Sequence, residues 1–178
     1  PVSGQKYERE AEIPFYKNQD RLILGQNRLI DPQNIEDYFA LGGYKALAKA
    51  LVEMTPEGVL EEVKKANLRG RGGGGFPAGV KWETTRQAPE KEKYVIVNAD
   101  EGDPGAYMDR SLLEGNPHLV LEGLILGAYA IGAAEGYVYV RQEYPLAVNN
   151  LTLAVQQAGE YGLLGNNILG TGFDFNVK

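Results

Sequence analysis

Apolar and polar positions along this chain repeat with two different periods, and the change from one to the other falls near its middle. Between residues 44 and 66 the spacing is helical. Leu47 and Leu51 fall on one face of a helix predicted over about 44–54. Val59, Leu60 and Val63 share a face of the next, about 56–66, with Glu61, Glu62, Lys64 and Lys65 outward. Thr55-Pro56 marks its start, because a threonine hydroxyl can accept from the free N–H groups of a first turn and proline fits that turn. By the same logic Asp31-Pro32 predicts a helix over roughly 32–40 that ends at Gly42-Gly43. Arg21-Leu22-Ile23-Leu24 reads as a short strand. The polar residues 1–20, with Pro14 among them, read as an arm over the surface.

From 94 onward the period changes. Tyr94-Val95-Ile96-Val97 is a continuous apolar run, the pattern of a buried parallel strand. It ends in a polar turn, Asn98 to Gly105. Asn116-Pro117 caps a long helix through about Gly132, on which Gly123 and Gly127 permit close packing. Gly136 to Arg141 is a strand, and Pro145 to about Glu160 is a helix with Gly162 at its C′ position. Phe173 to Lys178 alternates as one more strand. Strand, helix, strand, helix, strand predicts an α/β fold with a parallel sheet. A small helical segment precedes it, so the expected units are 1–55 and 56–178.

Composition narrows the function more than the fold. The chain has 178 residues, 43% of them hydrophobic, enough for a real core. A formal charge of −6 disfavours nucleic acid, whose phosphates need a basic face, but leaves room for a small phosphate ligand. With no cysteine, the chain cannot hold an iron–sulfur cluster through its own thiolates, and a zinc site is improbable with His118 as the only histidine. The longest apolar stretch, Leu119 to Ala134, carries Glu122 and is too short to predict membrane insertion. A cytoplasmic domain is expected.

The chemistry concentrates at Leu68-Arg69-Gly70-Arg71-Gly72-Gly73-Gly74-Gly75-Phe76-Pro77-Ala78-Gly79-Val80-Lys81-Trp82. Six glycines lie within ten residues, flanked by two arginines and a lysine. Without a Cβ, such a loop can press its backbone against a ligand and turn N–H groups toward it, and the cations favour phosphate. Gly70-x-Gly72-x-x-Gly75 formally matches the dinucleotide fingerprint, yet the segment before it is helical where the fingerprint needs a strand. The ending that a P-loop needs is absent too. The competing readings are a flexible surface loop and a module that meets a partner subunit, but a mere linker rarely interleaves cations and aromatics with glycine. The turn Asn98 to Gly105 follows a strand, where open α/β sheets place their ligands. Its carboxylates repel phosphate, so its expected contact is with the uncharged polar part of the same ligand. Trp82 reads as a core or rim anchor, His118 as a solvent-facing or capping residue, and Glu90 to Lys93 as a solvated face.

These segments resemble the flavoprotein subunit of bacterial respiratory NADH dehydrogenase (complex I). They are also similar to its close relatives, the diaphorase subunits of NAD(P)-linked and electron-bifurcating hydrogenases and formate dehydrogenases, and Ile13-Pro14-Phe15-Tyr16, Ile30-Asp31-Pro32 and Gly42-Gly43-Tyr44 lean toward the hydrogenase type. The resemblance runs from about residue 12 to the end. It includes the glycine loop through Lys81-Trp82, Asn98-Ala99-Asp100-Glu101 with Pro104-Gly105, Asp109-Arg110, Pro117-His118 and Gly136 to Tyr144. It implies a variant Rossmann-like FMN-binding domain in which NADH stacks on the flavin. By resemblance, Gly70, Arg71, Gly72, Gly73 and Lys81 line the flavin and its phosphate, and Asn98, Asp100, Glu101 and Gly102 meet the ribityl and ring atoms. Phe76, Lys81 and Asp103 serve NADH. Three positions depart from the family: Gly74 is usually alanine, Asp103 is often glutamate, and Thr84 is aromatic in some members.

The resemblance also implies partners. These are NADH, a thioredoxin-like 2Fe-2S subunit and other iron–sulfur subunits of a complex. The chain starts at Pro1 without methionine and its last strand reads as cut short, so a piece of a longer subunit is expected. A second flavin-binding loop would follow Lys178, and a 4Fe-4S cluster domain would lie further on. Such a piece is expected to be inactive alone.

Overall fold

The structure, a computed structural model, describes residues 4–178; the first three residues of the predicted arm lie outside it. A 3-10 turn at Glu10–Glu12 and a short helix α1 (Pro14–Lys17) occupy the arm, with their side chains largely in solvent. Residues 22–24 form a run of bends rather than the predicted strand over 21–24. Four residues with no neighbouring strand have no ladder to join.

Helix α2 (Ile35–Ala40) begins three residues later than Asp31-Pro32 suggested. The Asp31 carboxylate accepts from Gln33 N–H in a local turn, and Asn34 is the cap, accepting from Glu36 N–H at 3.1 Å. Helices α3 (Lys45–Glu53) and α4 (Pro56–Lys65) follow as predicted, with Leu47, Leu51, Val59 and Leu60 buried. Thr55 Oγ accepts from Gly58 N–H at 3.1 Å. Two helices were not predicted: α5 (Ala78–Gln87), after the glycine loop, and α6 (Met108–Gly115), after the polar turn.

Helix α7 (Pro117–Ile131) is the centre of the molecule. Asn116 Oδ1 caps it at Leu119 N–H, and Gly132 ends it in the left-handed region at φ 81°. It touches α3, α4 and α5 on one side and the sheet on the other. Gly127 permits close approach, as predicted: a Cβ there would lie 3.2 Å from Trp82. Gly123 faces open space and plays no such part.

The sheet comprises β1 (Tyr94–Ala99), β2 (Glu135–Val140), β3 (Gly165–Ile168) and β4 (Phe173–Val177), in the order β1-β2-β4-β3. The β1–β2 and β2–β4 pairs are parallel, and β3 is antiparallel to β4. Helix α8 (Pro145–Glu160) links β2 to the β3–β4 pair. Both parallel crossovers step the same way across the sheet, so the right-handed rule puts α7 and α8 on one face. Val95, Val97 and Val138 pack into that side, which is the core. The other face is open: Ile96 is 65% and Tyr139 60% exposed. Strand β1 is therefore parallel as expected but half-exposed, not buried. The main core cluster draws Ile35, Tyr38 and Leu47 together with Leu121, Ile125 and Phe175, from both sides of residue 55.

His118 is not solvent-facing. It is 1% exposed, stacked on Tyr38, with Nδ1 2.9 Å from the Tyr44 hydroxyl and Nε2 3.1 Å from Gln157 Oε1. Gln157 spends its amide N–H on the Gln33 carbonyl, so its oxygen must accept from Nε2–H, and Nδ1 accepts from Tyr44. Nearby, the buried Glu122 accepts from Tyr38 O–H at 2.6 Å and from the N–H groups of Tyr44 and Leu47, at the start of α3. Burial, then the Glu122 carboxylate, pushes both tyrosines above the usual phenol range.

Candidate functional site

The glycine loop is a closed hairpin. Arg69 bridges Pro77 in antiparallel fashion, Gly70 N–H donates to the Phe76 carbonyl at 2.9 Å, and Ala78 N–H donates to the Leu68 carbonyl at 2.8 Å. The Arg69 guanidinium reaches the Gly75 carbonyl at 3.1 Å. Gly73 at φ 102° and Gly75 at φ 58° make the bend that other residues resist. A Cβ on any of Gly72 to Gly75 would meet nothing within 4 Å. Their N–H groups have no acceptor among the described residues. The hairpin thus offers bare donors to whatever lies against it.

The facing wall is the turn after β1. Asn98 Oδ1 folds back to accept Asp100 N–H at 3.0 Å, which turns the chain out of the sheet. The Glu101 carboxylate accepts from Asp109 N–H at 3.1 Å and Arg110 N–H at 3.2 Å, satisfying two free donors at the start of α6. Burial, and then the Glu101 charge, push the Asp109 carboxyl above the usual range. Arg141, one residue beyond β2, stands 3.8 Å from Asp100.

A cleft of about 390 Å³ lies between the walls. Arg71, Gly72 and Gly73 form one side; Asp100, Glu101, Gly102, Asp103 and Asp109 form the other. Its volume lies in the range of small-molecule sites. Arg71 has no anionic partner among the described residues, whereas the far side carries carboxylates. A phosphate is therefore favoured at the hairpin and hydroxyls or ring N–H groups at the turn. A cavity of similar size, about 410 Å³, lies between β2, β4 and α8, but Val138, Val140, Leu151 and Val155 give it an apolar lining.

Gly70, Phe76, Lys81 and Asn98 do not line the cleft. Gly70 sits at the hairpin neck. Phe76 is 57% exposed on its return limb, and Lys81 is exposed on α5 without an ion-pair partner among the described residues. Met108 and Asp109 line the cleft without having been assigned a role from the sequence. The contacts of Arg141 and Tyr144 to the turn were not anticipated either. Their position just past the carboxyl end of the adjacent strand was the available signal.

An open, mostly parallel sheet with a glycine hairpin and a polar turn meeting at a strand's carboxyl end is the architecture of a nucleotide-binding α/β domain. Residues 63–178 match the family described as the Nuo51 FMN-binding domain, and the chain belongs to that family. It is 52% identical over 162 residues to the NADP-reducing hydrogenase subunit HndC of Solidesulfovibrio fructosivorans, covering 91% of this chain and 33% of that protein. It is 44% identical over 147 residues to an NADH-quinone oxidoreductase subunit of Escherichia coli, covering 82% of this chain and 33% of the relative. A solved NAD+-reducing [NiFe]-hydrogenase in the H2-reduced state superimposes with a TM-score of 0.66 at 29% identity, covering 89% of this chain and 25% of that one. The chain thus spans about a third of the length of the curated relatives it matches.

Proposed function

We propose that the cleft between the glycine hairpin and the turn at 100–109 holds FMN, and that the chain is the FMN- and NADH-binding part of an NADH:acceptor oxidoreductase flavoprotein. The observation that carries this reading is the shared cleft. N–H groups and an arginine without partners among the described residues face a row of carboxylates across a gap of small-molecule size. FMN pairs an anionic phosphate with ribityl hydroxyls and ring N–H groups, and the two walls offer those partners in that order. The chemistry that bound FMN would supply is hydride acceptance from NADH and one-electron transfer toward an iron–sulfur cluster, with Arg71, Gly72, Gly73, Asp100, Glu101 and Gly102 holding it.

The chain's own residues bind and orient. Arg71 neutralises the phosphate, and Gly72 and Gly73 donate their N–H groups to it. Asp100, Glu101 and Gly102 fix the ribityl and ring atoms. Phe76, Lys81 and Asp103 engage NADH, and no side chain has to act as acid or base. The remaining expected partners, a thioredoxin-like 2Fe-2S subunit and other iron–sulfur subunits at the cytoplasmic face of a membrane, belong to the same reading. Among the described residues no helix is long and apolar enough to cross a membrane.

The test is titration of FMN and NADH into the full-length gene product. Gly72 has no positive φ and open space at its Cβ position, so Gly72→Val leaves the fold intact while covering the donor wall. Its FMN Kd should rise about tenfold or more, the scale of losing a hydrogen bond to a charged group. Lys81→Ala should raise KM for NADH. Wild-type affinities in both variants would instead assign the hairpin to a partner subunit.

A further inference from the structure

Glu101 is gripped at both ends. Its carboxylate caps the start of α6 with one N–H bond to each oxygen, and its carbonyl accepts from Arg141 Nη1 at 2.8 Å and from the Tyr144 hydroxyl at 3.2 Å. The Arg141 fork does more: Nη2 donates to Glu143 at 3.1 Å and Nε stands 3.8 Å from Asp100. The Arg110 guanidinium covers the Tyr144 ring at 5.4 Å from its centroid, and Arg141 lies 6.0 Å from the same centroid. Gly102 runs close beneath the clamp, since a Cβ there would lie 3.6 Å from Arg141 Nη1. Neither Arg141 nor Tyr144 lines the cleft. Every contact they make with the turn falls on its backbone or on Asp100.

We infer that Arg141 and Tyr144 are positioning residues for the flavin site. They lock the Asp100–Asp103 turn to the carboxyl end of β2, so that its carboxylates and backbone meet the ligand in one fixed geometry. Without them the turn is tied only by the Asn98 side chain at its start and by α6 at its end, and Gly102 and Gly105 leave its backbone free to adopt other conformations. A guanidinium suits the task because its planar fork reaches the carbonyl, Glu143 and Asp100 together, whereas an ammonium holds one direction at a time. The positive charge beside Asp100 also offsets part of the negative field on the wall that the electron-rich ligand must approach.

The inference rests on the FMN reading above, and the experiment separates the two. The full-length gene product and its Arg141→Met, Arg141→Lys and Tyr144→Phe variants are stripped of flavin. FMN is titrated back by fluorescence quenching, and the melting temperature of each apoprotein is recorded. Arg141→Met should weaken FMN binding about tenfold or more, as expected for removing a charged donor that holds a binding group in place. Arg141→Lys should recover part of that loss, and Tyr144→Phe should fall between Arg141→Lys and wild type. All apoproteins should melt close to wild type. Where Arg141→Met fails to fold, Arg141→Lys and Tyr144→Phe carry the same comparison. Equal FMN affinity across the series overturns the positioning role, as does a loss that follows apoprotein melting step for step. Absence of FMN binding by the unmodified protein overturns the function itself.

Discussion

His118 shows how much a single side chain can encode. Burial is the main influence on it and holds its pKa below the ordinary 6.5; the Gln157 contact opposes that only in part. The ring is therefore neutral in the fold, while in the unfolded chain it gains a proton near its ordinary value. The unfolded state then binds more protons, so stability is full above about pH 6.5 and falls as pH drops below it toward the depressed folded value. Denaturation midpoints between pH 7.5 and 5 should follow this slope, and His118→Gln should flatten it. The groups facing the ring are the Tyr44 hydroxyl, the Tyr38 face and the Gln157 amide, none of them a cation or carboxylate. The sequence showed a histidine after proline at a helix start, which suggested solvent. It could not show that Tyr44 and Gln157, each dozens of residues away, close over it. Glu122 was legible only as a break in an apolar stretch, although it holds the start of α3 against α7.

At the level of elements, legibility followed range. Helices α3, α4, α7 and α8 carry their period and their stop signals within one segment, and each lies close to where that pattern put it. Strand β3 does not: Gly165-Asn166-Asn167-Ile168 has no alternation and exists because β4 lies alongside. Helix α5 was hidden by the glycines before it. Its Gly79 lets it lie close on α4, since a Cβ there would stand 2.7 Å from Lys64 Cγ. The contact between β2 and β4 makes a sharper prediction. A Cβ on Gly136 would fall 2.5 Å from Phe175 Cζ and 3.2 Å from Val95 Cγ1, and Phe175 is fully buried. Gly136→Ala should therefore cost about 1–3 kcal/mol, read by urea denaturation, as overpacking costs in a filled core.

Across the whole molecule, the candidate site is a meeting of distant segments. The hairpin near 72 and the turn near 100 were each conspicuous in the sequence, and their convergence on one cleft was the expectation that mattered most. What residue types could not reveal was the division of labour between them. Asn98 and Glu101 look alike as polar turn residues, yet one folds back to shape the turn and the other caps α6. Because the two walls belong to separate elements, a ligand that bridges them should bind the folded state alone. At a hundredfold excess over its Kd, FMN should add about 2.7 kcal/mol of stability to the full-length protein, visible as a rise in melting temperature.

Trp82 is the only tryptophan in the sequence, and it lies half-buried at the seam between α5 and α7, against Gly127. It follows Lys81 directly on the helix that continues from the glycine hairpin. This part of the protein therefore carries an optical probe of its own: an indole whose emission overlaps flavin absorption. Quenching of that emission would time the arrival of cofactor, and a change in its colour would register any shift of α5, with no dye attached.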